Sequence, residues 1–250
     1  MAGEDLALRI EGVHAYYGPS YVLQGVTLDV PAQRVTAIVG RNGVGKTTLI
    51  NTIMGLVPVT RGRILVGSID VVGLEAYHRR QLGLALVPQG RRVFGSLTVE
   101  EHFHLTKSAP GGLFTRERVL DLFPPLRERL SSLARQLSGG EQMMLSIARA
   151  LIANPHIMLM DEPTEGLAPL IVGVVHDTVV AMRDAGITVL LVEQNLEFAL
   201  SLADWIAVME RGAITHVFKR EEIGDVEALS DLIIQGGGRP FWEGNDNLSH

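Results

Sequence analysis

Apolar residues fall in near-continuous runs whose lengths suit strands buried on both faces. These runs occupy residues 35–39, 84–87, 157–160 and 187–192, and each is followed by a glycine, a proline or an acidic residue. A strand that is covered on both sides has this pattern because neither face meets water. Residues 170–184 have the length of a helix that connects two parallel strands. The pattern therefore predicts an α/β fold with a mostly parallel sheet.

The chain before the first of these runs has a different pattern. Residues 6–30 alternate between apolar and polar positions, with breaks at Gly18-Pro19 and at Gly25, which predicts short antiparallel strands. Residues 62–66, 206–208 and 214–217 predict three further short strands, and residues 226–234 predict a small helix. We therefore expect an antiparallel β element beside the parallel sheet.

Between residues 92 and 153 the pattern becomes helical. Charges recur at helical spacing, β-branched runs are few, and breaks occur at Gly111-Gly112 and Pro124-Pro125. We predict one domain over residues 1–250, with a core formed by residues 6–91 and 154–235 and a helical subdomain formed by residues 92–153. Glycines at positions 236–238 open a polar tail, residues 236–250, which is expected to be mobile.

A glycine-rich loop follows the apolar run at residues 35–39. Its sequence, GRNGVGKT, fits the G-x-x-x-x-G-K-[ST] pattern of phosphate-binding loops. Small glycines let successive backbone N–H groups face phosphates, and the following helix adds its positive end. Lys46 is expected to reach the β- and γ-phosphates, and Thr47 to hold Mg²⁺. A plain glycine turn is the alternative, but the Lys-Thr pair favours an ATP or GTP site formed by Gly40, Arg41, Asn42, Gly43, Val44, Gly45, Lys46, Thr47 and Thr48.

Two carboxylates follow the apolar run at residues 157–160. Open α/β sheets bind their ligands at the carboxyl ends of the strands. Asp161 is expected to orient Mg²⁺, and Glu162 to polarise the water that attacks the γ-phosphate. A strand that simply ends in surface acids is the alternative. The phosphate loop in the same chain favours the catalytic interpretation.

The segment LSGGE, residues 137–141, marks the start of a predicted helix. Ser138 and Glu141 match a capping box, and one face of the following helix is apolar through Met144, Ile147, Ala148 and Leu151. This local structure leaves Gly139 and Gly140 unexplained, because glycine inside a helix destabilises it by roughly 1 kcal/mol relative to alanine. A second anion-binding site would explain both glycines.

Composition narrows the classes of function. The net charge of −6 gives no basic surface for nucleic acid, so no such partner is expected. The chain has no cysteine, which excludes disulfides, thiolate metal sites and cysteine nucleophiles. No apolar run approaches the roughly 20 residues that span a bilayer, and the first residues lack a secretory signal, so any membrane role is expected to be peripheral. His102 and His104 lack the neighbours that would complete a metal site.

With these motifs in order, the chain resembles the ATP-binding cassette superfamily over nearly its whole length. The order is phosphate loop, Gln89, the LSGGE signature and the carboxylates Asp161 and Glu162. The resemblance implies that two cassettes pair head to tail. It also implies that residues 138–141 of one cassette close over the ATP that the phosphate loop of the other holds.

The resemblance assigns roles to further residues. Tyr17 matches the aromatic residue that stacks on adenine, with a buried or turn tyrosine as the alternative. Gln89 matches the residue that senses Mg²⁺ and links to the helical insertion. Residues 90–94 lie where the family docks the coupling helices of its membrane subunits.

Two departures from the family pattern concern catalysis. Ala168 stands where most members carry aspartate, and Gln194 where most carry the switch histidine. A neutral amide still donates a hydrogen bond to a phosphate oxygen, but it does not titrate. We therefore expect ATP and Mg²⁺ binding, with Glu162, Lys46 and Gln194 as catalytic residues, while the rate of hydrolysis stays open.

Three short motifs narrow the subfamily. PQGRRVF at residues 88–94, EGLAP at residues 165–169 and VEQN at residues 192–195 resemble the second ATPase subunit of high-affinity branched-chain amino acid importers. Urea and short-amide importers are near relatives and an alternative. The resemblance implies two transmembrane permease subunits, a second cassette ATPase or a second copy of this chain, a periplasmic solute-binding protein, and a peripheral place on the cytoplasmic face of the inner membrane.

Two other functions compete with transport. An ATP-gated clamp on nucleic acid or the ribosome would need a long coiled coil or two cassettes in one chain, and the sequence has neither. An ATP-binding regulator with little turnover is suggested by Ala168 and Gln194, but the presence of Glu162 disfavours it.

Overall fold

The structure is a computed structural model that describes residues 5–90, 92–106 and 112–235. The tail predicted from residue 236 onward lies outside the described residues. The strands are β1 (Leu6–Tyr17), β2 (Ser20–Pro31), β3 (Val35–Val39), β4 (Val59–Val66), β5 (Ile69–Asp70), β6 (Leu84–Val87), β7 (Ile157–Asp161), β8 (Thr188–Glu193), β9 (Trp205–Glu210) and β10 (Ala213–Lys219). The helices are α1 (Lys46–Met54), α2 (Ala76–Gln81), α3 (Val99–His104), α4 (Arg116–Leu122), α5 (Pro124–Glu128), α6 (Gly139–Ile152), α7 (Pro169–Asp184), α8 (Leu196–Leu202) and α9 (Val226–Gln235).

The larger sheet has the strand order β10-β9-β3-β8-β7-β6, and its strands are parallel except for the pairing of β9 with β10. Strands β3, β7 and β8 are buried at every position. Successive residues of β7 and β8 enter opposite hydrophobic clusters, because neighbouring side chains on a strand point to opposite faces. Two buried faces explain the continuous apolar runs in the sequence, and the predicted α/β fold is confirmed.

The smaller sheet has the order β2-β1-β4-β5 and is antiparallel. The expectation of several short strands over residues 6–30 was wrong at Gly25, which lies inside the long strand β2. Gly25 has a φ of 81° and sits where the register of β1 against β2 shifts, between the pairs Val13–Val26 and His14–Gln24. A glycine at positive φ accommodates the extra residue of a β-bulge, so the strand bends without ending. The predicted break at Gly18-Pro19 is the hairpin turn between the two strands.

The segment predicted to be helical carries helices α3 to α6 in its described part. The predicted apolar face of α6 is confirmed, since all four of its members are buried: Met144, Ile147, Ala148 and Leu151. The predicted crossover helix is confirmed as α7, which begins one residue earlier than expected, at Pro169. In the described part of the chain, no helix combines the length and apolar character needed to cross a bilayer.

Candidate active site

The phosphate loop joins β3 to α1 at the carboxyl end of the parallel sheet. Gly40 has no room for a side chain, because a Cβ atom there would lie 2.3 Å from the carbonyl oxygen of Met209. Gly45 caps α1 with a φ of 112°, in a region that side chains other than glycine rarely adopt. These two glycines fix the path of the loop, and the first helical residue after them is Lys46.

Lys46 is held inside the loop and is only 4% exposed. Its Nζ atom donates hydrogen bonds to the carbonyl oxygens of Gly40, at 2.9 Å, and Arg41, at 3.1 Å. The same atom lies 3.4 Å from Oε1 of Glu162, whose side chain is 6% exposed. The lysine charge is therefore preorganised opposite the carboxylate that follows β7.

Asp161 and Glu162 occupy different positions at the end of β7. The hydroxyl of Thr47 donates to Oδ1 of Asp161 at 3.1 Å. Burial, assisted by the charge of the nearby Glu162, raises the pKa of Asp161 to about 6, although the Thr47 hydrogen bond opposes this rise. Glu162 has a φ of 48°, an uncommon conformation that turns the chain at the strand end.

Gln89 links the end of β6 to the carboxylates. Its Nε2 atom donates to Oε2 of Glu162 at 3.0 Å and to Oε2 of Glu165 at 3.0 Å. One amide group therefore lies between two carboxylates on the loop after β7.

A cavity of about 480 Å³ brings most of the predicted site together. It is lined by predicted site residues from the β1–β2 hairpin, the phosphate loop and the ends of β6, β7 and β8, namely Tyr17, Asn42, Gly43, Gly45, Lys46, Thr47, Thr48, Gln89, Glu162 and Gln194. The remaining loop residues, Gly40, Arg41 and Val44, support the loop outside this lining. Asp161 contacts the cavity through Thr47.

Three cavity residues were not predicted as site residues: Ser20, Val22 and Glu165. Ser20 pairs with Tyr17 as the last pair of the β1–β2 hairpin, so it shares the end of the cavity with that tyrosine. The hairpin turn at Gly18-Pro19 was the available signal for Ser20. The contact of Glu165 with Gln89 depends on tertiary packing and had no local signal.

The structure does not bring the signature into this cavity. Ser138 is the N-cap of α6, and its hydroxyl accepts from the backbone N–H of Glu141 at 3.2 Å. The Glu141 carboxylate accepts from the backbone N–H of Ser138 at 2.7 Å. The predicted capping box is therefore confirmed.

Gly140 has a packing explanation that the sequence did not provide. A Cβ atom at this position would lie 2.9 Å from Cγ1 of Ile171, which belongs to α7. As expected, local structure leaves this glycine unexplained, and the close approach of a neighbouring helix accounts for it.

The histidines of α3 have ordinary structural contacts. His102 is buried, its Nε2 atom accepts from the backbone N–H of Phe94 at 3.0 Å, and its Nδ1 atom lies 2.8 Å from the carbonyl oxygen of Thr98. Burial lowers the pKa of His102, which favours the neutral ring that this arrangement requires. Within the described ranges, no group of three or more histidine, aspartate and glutamate side chains is arranged to hold a metal ion.

Comparison with known proteins gives consistent relatives. The high-affinity branched-chain amino acid transport ATP-binding protein BraG of Pseudomonas aeruginosa is 41% identical over 215 residues, which cover 83% of this chain and 90% of that protein. A probable branched-chain amino acid transport ATP-binding protein, LivF of Archaeoglobus fulgidus, is 35% identical over 229 residues, covering 90% of this chain and 97% of the relative. A third relative, LivG of Methanocaldococcus jannaschii, has a similar description and is 32% identical over 236 residues, covering 86% of this chain and 90% of the relative.

Solved structures agree with these relatives. A nucleotide-free ATP-binding cassette from an ABC transporter has a TM-score of 0.79 at 28% identity and covers 92% of this chain and 95% of its own. A cassette described in its ADP conformation has a TM-score of 0.76 at 27% identity, with the same two coverages. The family model for ABC transporters matches residues 23–165, which contain the phosphate loop, the signature and both carboxylates. This chain is therefore a nucleotide-binding member of the ABC transporter family.

Proposed function

We propose that this chain is the ATP-hydrolysing subunit of an importer of branched-chain amino acids. The observation that carries the ATPase assignment is the cavity in which Lys46 faces Glu162 at 3.4 Å. The substrate class rests on the three relatives, which are all described as branched-chain amino acid transport proteins. Those descriptions favour this substrate class over urea or short amides.

Catalysis would rest on positioning and on neutralisation of phosphate charge. Lys46 is already oriented by the carbonyl oxygens of Gly40 and Arg41, so little side-chain entropy is lost when it binds phosphate. Phosphate oxygens that draw Lys46 towards them free the Glu162 carboxylate to accept a proton from the attacking water. Gln194 lines the same cavity and supplies a neutral hydrogen-bond donor.

The residues present fit Mg²⁺. Thr47, Asp161 and Gln89 provide hydroxyl, carboxylate and amide oxygens, which are the donors that this ion prefers. The pKa of Asp161, raised to about 6 by burial, marks a carboxylate whose charged form a neighbouring cation would stabilise. Mg²⁺ held there would neutralise charge on the β- and γ-phosphate oxygens.

The positions of two surfaces support the proposed partners. The signature residues 138–141 lie outside the cavity of their own chain, so a second cassette, either a distinct ATPase or another copy, would supply them to ATP. Two permease subunits would dock beside residues 90–94, of which Arg91 lies outside the described residues. Phe94 is 55% exposed there. The Cζ atom of Arg149 lies over its ring, 5.6 Å from the ring centre. We place the assembly, with its solute-binding protein, at the inner membrane with this chain on the cytoplasmic face.

The test combines purification with uptake. The tagged chain is purified from detergent-solubilised membranes of its source cell, and the proteins that accompany it are identified. Two different multi-span proteins and a cassette ATPase support the proposal, whereas ribosomes or nucleic acid without a membrane protein contradict it.

Cells that lack the native chain should regain leucine uptake with the wild type and not with Glu162→Gln, which keeps the volume of the site. Recovery of urea uptake instead of leucine uptake would overturn the substrate class.

A further inference from the structure

A buried carboxylate joins two loops at the edge of the cavity. Glu193 is the last residue of β8 and is 2% exposed. Its Oε1 atom accepts from the backbone N–H of Thr164 at 3.1 Å and from the hydroxyl of Thr164 at 2.7 Å. Its Oε2 atom accepts from the backbone N–H groups of Gln194, at 3.1 Å, and Asn195, at 3.3 Å. Two of these hydrogen bonds hold the loop after β7 and two hold the loop after β8, so one carboxylate joins the two loops.

Each of these loops carries a side chain of the proposed reaction. Thr164 follows two residues after Glu162, and Gln194 follows Glu193 directly. Glu162 and Gln194 both line the cavity, whereas Glu193 is not part of its lining. The backbone N–H of Glu162 also donates to the carbonyl oxygen of Val192 at 2.9 Å, so the Glu193 carboxylate extends the pairing of β7 with β8 into the two loops that follow these strands.

Burial of the strand does not require a charged group at this position. The preceding residues of β8, Thr188 to Val192, are buried without any charge. Among the ion pairs of the described residues, none includes Glu193, so no cation compensates its burial. Burial raises the pKa of Glu193, and the hydrogen bonds from Thr164, Asn195 and Gln194 oppose that rise. An apolar residue would avoid the cost of burying a carboxylate, but it would leave the buried N–H and hydroxyl donors of Thr164 without an acceptor. The carboxylate therefore serves to join the two loops.

We propose that Glu193 is a positioning residue for ATP hydrolysis, which holds the Glu162 loop and the Gln194 loop in register across the cavity. This inference rests on the proposed ATPase function. Glu193 acts through the two loops and touches neither nucleotide nor water itself. Its loss should therefore reduce the rate of the chemical step and leave ATP binding to the phosphate loop intact, because a misplacement of about 1 Å is enough to slow a reaction by on the order of 100-fold.

The main variant is Glu193→Ala in the full chain, with Val189→Ala as its matched control. Val189 is fully buried in the same strand, so its truncation leaves a cavity and lowers stability while both loops stay attached. We expect Glu193→Ala to lower kcat by about 10- to 100-fold. ATP affinity, measured without Mg²⁺, should stay within about twofold, because the phosphate loop is unchanged. The control should keep its kcat.

A conservative variant provides rescue and covers the case in which Glu193→Ala does not fold. In Glu193→Gln the amide oxygen can accept from Gln194 and Asn195 while the NH₂ group donates to the hydroxyl of Thr164, so only the backbone N–H of Thr164 loses its acceptor. This variant should recover most of the lost kcat.

Amide hydrogen exchange, followed by NMR, should accelerate at residues 164, 194 and 195 in the alanine variant and at residue 164 alone in the glutamine variant.

Three results would overturn the inference: unchanged exchange at these amides in Glu193→Ala, an equal fall of kcat in Val189→Ala, or a fall of ATP affinity in parallel with kcat. Exchange rates do not depend on catalysis, so a failure of the positioning role can be distinguished from a failure of the proposed ATPase function. If exchange accelerates as expected but the wild type turns over no ATP, the ATPase assignment fails and the connection between the loops stands.

Discussion

The nucleotide cavity and the start of helix α6 are built in opposite ways. In the cavity, hydrogen bonds join residues far apart in the chain, such as Thr47 with Asp161 and Gln89 with Glu162. At the start of α6, the side chains of Ser138 and Glu141 each accept a hydrogen bond from the backbone N–H of the other residue, within a span of four residues. The cavity therefore depends on the whole sheet being formed, whereas the start of α6 is fixed by local sequence.

The difference is consistent with the proposal that the signature acts on ATP held by a second cassette. The cavity already contains an oriented lysine, oxygen donors of the kind that Mg²⁺ prefers and a candidate general base. The start of α6 has its side chains satisfied, and the first backbone N–H groups of any helix have no acceptor within the helix. The start of α6 therefore needs no further side-chain partner, and its backbone N–H groups are suited to bind an anion that another molecule holds. We expect changes in the cavity to affect ATP binding and chemistry, and changes at α6 to affect chemistry only after assembly.

The largest combined effect, on both ATP binding and turnover, is expected from Lys46→Ala. Loss of the oriented ammonium group removes a preorganised charge from the phosphates, so ATP turnover should fall by on the order of 1,000-fold. ATP binding to the single chain should fall with it, as measured by titration calorimetry. Arg34→Ala is a suitable control, because Arg34 is an exposed cation directly before the first residue of β3, at the end of the strand that lies away from the phosphate loop. Retained ATP binding in Lys46→Ala would contradict the assignment of the cavity.

Glu162→Gln should separate binding from chemistry within the cavity. The amide cannot accept a proton from water, so turnover should fall by about 100- to 10,000-fold. ATP binding should persist, and an ATP-bound dimer should accumulate and be detected by light scattering. Normal steady-state phosphate release by this variant would remove Glu162 from its proposed role.

Asp161→Asn should reveal the cost of the buried carboxylate. The folded pKa of about 6 lies above the usual value of 3.8, so the folded wild type binds more protons than the unfolded chain between these values and loses stability as pH rises through that window. The asparagine variant avoids this loss. Without Mg²⁺ it should be more stable than the wild type by up to about 3 kcal/mol at pH 7, with the difference declining towards pH 4. Urea unfolding in EDTA at both pH values measures this, and an equal gain at pH 4 would contradict the assignment.

The smallest effect on stability is expected at α6. Ser138→Ala removes the N-cap and should lower the free energy of unfolding by about 1 kcal/mol. ATP affinity of the single chain should not change, because Ser138 lies outside the cavity. Thr115→Ala is the matched control, since Thr115 caps α4 through the backbone N–H of Arg118. Both variants should lose similar stability in thermal melts, and only Ser138→Ala should lose ATP turnover in the assembled pair. Equal turnover in the two variants would mean that Ser138 is only a cap.

Features that depend on local sequence were predicted well. The strands at residues 35–39 and 84–87 are confirmed with their predicted bounds, and the capping box and apolar face of α6 are confirmed side chain by side chain. These elements follow from spacing along the chain and from burial on two faces of a sheet. Most of the predicted phosphate-loop residues meet in one cavity for the same reason, because the loop follows a strand directly.

Features that depend on contacts between distant segments were missed. Arg79 belonged to a short pair of basic residues in the sequence, yet it is buried and donates to the carbonyl oxygens of Thr52 and Ile53 at the end of α1. The contacts of Glu193 and Glu165 are of the same kind. In each case the partner comes from another element, so spacing along the chain provides no signal.

The contact between Gly140 and Ile171 has a consequence for how related chains evolve. The two positions share one small volume between α6 and α7, so a larger residue at position 140 requires the side chain at position 171 to shift or to be smaller. A homologue with a larger residue at position 140 should therefore have a displaced or smaller side chain at position 171. Gly140, for which an anion-binding role was expected, would then also reflect the fit between two helices of its own chain.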